Sequence, residues 1–267
     1  MRFLAVTDLH YTNLHDGADN RQHDLSLEKL RQAVASGAPG CDCIVNLGDT
    51  AEGFDGLRPQ AELLDEVCDV LRGSGLPHYS IIGNHDTHME KTSFYPHLDM
   101  SDRYYAFDCS GYRCLVLDAC LNNDEDPLPQ QEIAWDNCRI DPGQIAWLQR
   151  ELDAADGKVL IFTHVPFMLE EYATENPHLI RNRDEITRIF ERSGKVQAVF
   201  SGHYHDGCFG VHNGIPYITF SAMVIGEENA YAVVDVTDAG VRVTGFGRQK
   251  SAQWKISDSV MGVQQTN

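Results

Sequence analysis

Ser80-Ile81-Ile82-Gly83-Asn84-His85-Asp86 is the stretch on which the reading of the chain turns. Pro77, Tyr79, Ile81 and Ile82 predict a short buried strand that Gly83 breaks, and three polar side chains follow at once. At the end of a strand in an open α/β sheet the chain turns and side chains meet a ligand. Asn84 brings a neutral carbonyl oxygen for a metal, His85 a proton or hydrogen bond, and Asp86 a carboxylate to orient that imidazole. A polar turn after a strand is common by itself, so the weight falls on whether other strand ends match.

Four of them do. The apolar run 2–7 ends in Asp8-Leu9-His10, and side chains two apart on an extended chain face the same way. Such an oxygen and nitrogen pair suits a Lewis-acidic divalent cation. Cys43 to Leu47 predicts a second strand that stops at Gly48-Asp49, where a carboxylate beside a glycine can come close enough to bridge two ions. Val159 to Thr163 runs into His164, and Val196 to Phe200 into Gly202-His203-Tyr204-His205. Between the first three strands, Leu25, Leu27, Leu30 and Val34, then Leu63, Leu64, Val67, Cys68 and Leu71, recur at helical spacing. A βαβαβ unit with parallel strands follows from that order. Parallel strands put Asp8, His10, Asp49, Asn84, His85, His164, His203 and His205 on one sheet edge. With Asp49 bridging, they divide into two shells of about four ligands, the arrangement of a two-metal hydrolase with ions ~3.5–4 Å apart.

Further along, Tyr104 to Phe107 and Arg113 to Asp118 predict paired antiparallel strands turning at Ser110-Gly111. Asp118 reads as a strand terminator, and 121–141 as a surface excursion. Helices are expected over residues 142–152 and 184–192. Strands are expected over 209–212, 215–220, 230–236 and 241–247. Residues 1–250 read as one domain and 251–267 as a polar C-terminal tail.

The 267 residues are 42% hydrophobic and 23% charged, the composition of a globular protein with a sizeable core. Forty acidic residues against 21 basic ones give a net charge of −19. A polyanion-binding face needs a basic stripe, and none is visible, so small anionic substrates are expected rather than nucleic acid. The eight cysteines contain no CxxC pair. The apolar run after Met1 is too short for a signal segment, and no stretch is long enough to span a bilayer. A cytoplasmic protein with reduced thiols and no membrane contact is the expectation.

The order D-x-H, G-D, G-N-H-D, H, G-H-x-H resembles the calcineurin-like metallophosphoesterase superfamily. The resemblance implies two mixed β-sheets packed as a sandwich with flanking helices, the metallo-dependent phosphatase fold in the α/β class. It implies Asp8, His10, Asp49 and His205 as ligands of one divalent ion, and Asp49, Asn84, His164 and His203 as ligands of a second. His85 would assist at the phosphoryl group, oriented by Asp86, where the family often shows Glu. Tyr104 to Phe107, Leu117-Asp118-Ala119, Gly143-Gln144 and Gly202 to Gly207 further resemble the manganese-dependent ADP-ribose/CDP-alcohol diphosphatase branch. That branch implies Mn²⁺, with Fe or Zn²⁺ as alternatives, a small nucleotide substrate with a pyrophosphate bond, and Arg21 beside a substrate phosphate. Cyclic-nucleotide phosphodiesterase, phosphomonoesterase and protein phosphatase activities stay open, as does a non-catalytic scaffold on the same fold.

Overall fold

Phe3 and Ala5 of strand β1 (Arg2–Val6) face one way, Leu4 and Val6 the other, and all four are buried. A strand apolar on both faces needs a packed layer on each side, and the computed structural model supplies them. It describes residues 1–13, 18–53, 58–89, 91–121, 134–172 and 175–255.

On one flank of β1 lie β2 (Cys43–Asn46) and β3 (His78–Ser80), both parallel to their neighbours. On the other lies antiparallel β10 (Ala230–Thr237), followed by β11 (Gly240–Gly247) and β12 (Ala252–Lys255). The second sheet has six strands in the order β4 (Tyr105–Cys109), β5 (Tyr112–Leu117), β6 (Val159–Thr163), β7 (Val196–Ser201), β9 (Ile215–Thr219), β8 (Cys208–His212). Its central strands are parallel and its edge strands antiparallel.

The sheets meet through aromatic rings. Phe3 presents its edge to Phe162 at 5.5 Å and to Phe200 at 5.2 Å between centroids. Edge-on contacts of this kind add about 0.5–1.5 kcal/mol to the burial itself. Leu4, Val6 and Ile44 pack outward under α1 (Ser26–Gly37) and α2 (Gln60–Gly73). A single-turn α3 spans Lys91–Phe94. Beneath α4 (Pro142–Ala154) and α5 (Arg183–Ser193) lie Leu115, Ile161 and Val199. Asp141 caps α4, accepting from the Gln144 amide at 3.0 Å, and Pro142 occupies the first turn, where a missing N–H costs nothing.

The sandwich matches the architecture expected from the motifs. Strand β3 is shorter than its apolar run: Ile81 and Ile82 are buried but stand past the ladder. The expected tail begins later than 251, because Ala252–Lys255 pair with β11 as an edge strand. Most of the 121–141 excursion and residues 256–267 lie outside the described residues. Asp118 is structural as read, its carboxylate accepting from the Cys120 amide at 2.9 Å and standing 3.4 Å from Arg103. None of the eight cysteines forms a disulfide. Among the described residues, no helix is long and apolar enough to cross a membrane.

Phe3 is fully buried where both sheets converge. Phe3→Ala is expected to lower the unfolding free energy by about 3–5 kcal/mol, read from the midpoint of urea denaturation at unchanged m-value.

Candidate metal centre

Strands β1, β2, β3, β6 and β7 all end at one edge of the sandwich, and their following loops are laced together there. The Asp8 amide donates to Gly48 O at 3.0 Å, His10 to Asp49 O at 2.8 Å, and Gly202 to His164 O at 2.9 Å. Two glycines permit this. A side chain at Gly83 would strike the Asp49 backbone and carboxylate, and one at Gly202 would strike Thr7 and come within 2.7 Å of Asp8 Oδ2. Asp8, His10, Asp49 and His203 all have positive φ, between 45° and 67°. Asp and His enter that left-handed region more readily than most residues, at some energetic cost.

The edge gathers two groups of donors that share no residue, Asp8, His10 and His205 in one and Asp49, His164 and His203 in the other, with each group's ligand atoms within 4.8 Å of one another; His10, Glu52 and His85 make a third that overlaps the first. Asp49 Oδ2 lies between the first two, 3.5 Å from His10 Nε2 and 3.2 Å from His164 Nε2. Its other oxygen accepts from the His85 amide at 2.8 Å. Asn84 is buried and precedes the residue whose amide reaches Asp49.

Backbone and carboxylate partners fix the tautomers. His164 Nδ1 lies 2.8 Å from Leu47 O and His10 Nδ1 2.6 Å from Glu52 Oε1. Both partners only accept, so Nδ1 carries a proton in each ring and Nε2 is the nitrogen turned toward the other donors. His164 Nε2, His203 Nε2 and Asn84 Oδ1 are buried with no hydrogen-bond partner. In the first group, His10 Nε2 and His205 Nε2 face each other at 3.2 Å. Donors gathered like this call for positive charge among them, which a divalent cation in each of the two separate groups would supply.

The electrostatics agree. Burial works against charge on Asp8, Asp49 and Glu52, yet the facing histidines hold all three carboxyls well below the usual range. Burial also disfavours protonated His10 and His164, but the carboxylates raise them to about 10 and about 9, so a proton on each ring holds the place that a cation would take. His203, buried and beside His164, falls to about 3. The set is acidic enough to demand cations and keeps nitrogen donors in reserve.

One expectation needs correction. Asp86 does not orient His85. Its carboxylate curls back to accept from the Thr50 amide at 2.8 Å and the Gly83 amide at 2.9 Å, tying two metal-bearing loops together. Burial and the Asp49 charge push its pKa up to about 7. The residue that meets His85 is Glu52, Oε2 to Nδ1 at 2.9 Å, while its other oxygen takes His10. Nothing in the sequence marks Glu52: it stands in a loop beyond Asp49 with no patterned partner. His23 also escaped the sequence reading, its Nδ1 2.7 Å from His10 O. Arg21 lies at the rim, 3.8 Å from Glu52 Oε1. His178 lines the second group, its ring 5.3 Å from His203 and 5.4 Å from Tyr204.

A family model described as calcineurin-like phosphoesterase matches residues 1–207. The serine/threonine-protein phosphatase CPPED1 of Danio rerio is 28% identical over 243 residues, 84% of this chain and 75% of that protein. A probable cyclic nucleotide phosphodiesterase of Fibrobacter succinogenes is 24% identical over 206 residues, 73% of this chain and 70% of that one. A crystal structure of a dimetal phosphatase from Danio rerio superposes with a TM-score of 0.81 at 20% identity, covering 96% of this chain and 99% of the other.

Glu52→Ala, which unties His10 and His85 together, is expected to weaken Mn²⁺ binding about 10–100-fold by calorimetric titration. Unchanged affinity would mean that the rest of the edge holds His10 unaided.

Proposed function

The chain belongs to the calcineurin-like phosphoesterase family, and from that premise we propose a two-metal hydrolase of phosphomonoesters, of the protein-phosphatase kind. The observation that carries the chemistry is the pair of donor groups joined at Asp49 Oδ2. Asp8, His10, Asp49 and His205 would hold one ion, and Asp49, Asn84, His164 and His203 the other. Bound there, the ions supply Lewis acidity, lower the pKa of water and clamp phosphoryl oxygens. The oxygen and nitrogen donors, free of thiolate, suit Mn²⁺, Fe or Zn²⁺.

His85 is the acid–base partner. Glu52 takes its Nδ1 proton as a hydrogen bond, leaving Nε2 to face a phosphoryl or leaving oxygen. Because Glu52 is buried and itself accepts from His10, the imidazole is held rather than free to rotate. Asp86 serves by keeping the Gly83 and Thr50 loops at a fixed separation. Arg21 at the rim brings a second cation toward the substrate phosphate. Eight cysteines with no disulfide among them fit a reducing compartment such as the cytoplasm.

The choice of ester rests on the relatives. The Danio rerio protein is named a serine/threonine-protein phosphatase, and the Fibrobacter succinogenes protein a probable cyclic nucleotide phosphodiesterase. The second name makes cyclic nucleotides the second reading. Neither name favours the ADP-ribose or CDP-alcohol pyrophosphate expected from the finer sequence resemblance.

The decisive test is a Mn²⁺-supplemented panel of a phosphothreonine peptide, p-nitrophenyl phosphate, cyclic AMP, ADP-ribose and CDP-choline. Highest kcat/KM is expected on the monoesters; ADP-ribose leading the panel would restore the pyrophosphate reading. Asp49→Ala is expected to nearly abolish turnover, and a near-normal rate in metal-replete variant would refute bridging. His85→Ala should keep both ions by elemental analysis while kcat falls about 10²–10⁴-fold; loss of metal would make His85 a ligand instead.

A further inference from the structure

At the opposite end of β3 from Asn84, three more donors converge. Cys68 comes from α2, His78 opens β3, and Asp99 closes the 3₁₀ turn Tyr95–Leu98 with φ at 54°. Cys68 Sγ stands 3.7 Å from His78 Nε2 and 3.7 Å from Asp99 Oδ2, and those two atoms are 3.3 Å apart. A thiolate at ~2.3 Å and N or O ligands at ~2.0–2.2 Å from a tetrahedral zinc stand about 3.3–3.6 Å from one another. The His78–Asp99 edge of the observed triangle falls in that range, and the two edges to sulfur exceed it only slightly. The first edge is wider than a charge-assisted hydrogen bond, for which the imidazole and carboxylate would close to ~2.7–2.9 Å.

We infer that Cys68, His78 and Asp99 form a zinc site that shares no residue with the catalytic edge. The donor set selects the ion: thiolate with imidazole suits zinc, whereas the catalytic donors contain no sulfur. Arg72 supports the carboxylate from outside, Nε to Oδ2 at 2.8 Å and Nη2 to Oδ1 at 2.6 Å, as the second shell of a ligating carboxylate does. Cys68 is fully buried while the Asp99 side chain is 44% exposed, so an ion enters past Asp99 and keeps a water as its fourth ligand. The Cys68 thiol passes its proton to solvent as the S–Zn bond forms.

Cobalt tests this without reference to activity. Titrating Co²⁺ into the metal-stripped full chain is expected to produce a sulfur-to-cobalt charge-transfer band in the near ultraviolet, which oxygen and nitrogen donors cannot generate. Zn²⁺ should erase it. Cys68→Ser should abolish the band, bind one ion fewer per chain than wild type, and keep turnover. Should that buried replacement fold poorly, Asp99→Asn tolerates the left-handed turn and should weaken the band-forming affinity about 10-fold or more. No band in the wild type, or a band unchanged in both variants, would overturn the site.

Discussion

Three buried carboxylates, Asp8, Asp49 and Glu52, crowd one edge of the sandwich, and the rest of the molecule accommodates their charge. Isolated, such groups would neutralise or unfold the loops that carry them. Here they are ringed by imidazoles whose inner nitrogens face them and whose outer nitrogens, in His10 and His164, are tied to carboxylate and carbonyl oxygen. The arrangement is consistent only with positive charge inside the ring. Everything that builds the edge, from the parallel strands to the two glycines, serves to bring donors of distant sequence position into that one environment.

The sandwich beneath supplies rigidity. Phe3, Phe162 and Phe200 lock one sheet to the other directly below the edge. Because Phe3 is on β1 and Phe162 and Phe200 are on β6 and β7, the loops that follow are fixed to the same aromatic cluster. Glu52 and Asp86 then act as clasps between loops, the first through side chains and the second through backbone amides. A site needing several donors at sub-ångström tolerance is better placed on such strand ends than on free loops.

The strand-end donors were legible because each interrupts an apolar run, and an interruption by Asp or His at a glycine has few purely structural explanations. The βαβαβ order was legible from its helical spacing. Glu52 was not, because its role exists only after β2 and β3 bring its loop against His10 and His85. Asp86 was misassigned for a related reason: adjacency to His85 in sequence says nothing about direction once the chain enters a 3₁₀ turn at His85–His88. Strand β12 alternates Ala252, Gln253, Trp254 and Lys255 at an open edge, a pattern too short and polar to separate from a tail. Cys68, His78 and Asp99 lie on three elements, and no spacing rule connects them.

The left-handed backbone at Asp8, His10, Asp49 and His203 sets the terms on which this protein can be hardened. Glycine at any of the four would relax the chain, and would do so by deleting a donor. Fold robustness and hydrolytic competence therefore compete at the same positions, whereas elsewhere they vary independently. A thermostable form is to be sought on the solvent faces of the helices, leaving the four constrained turns as they are.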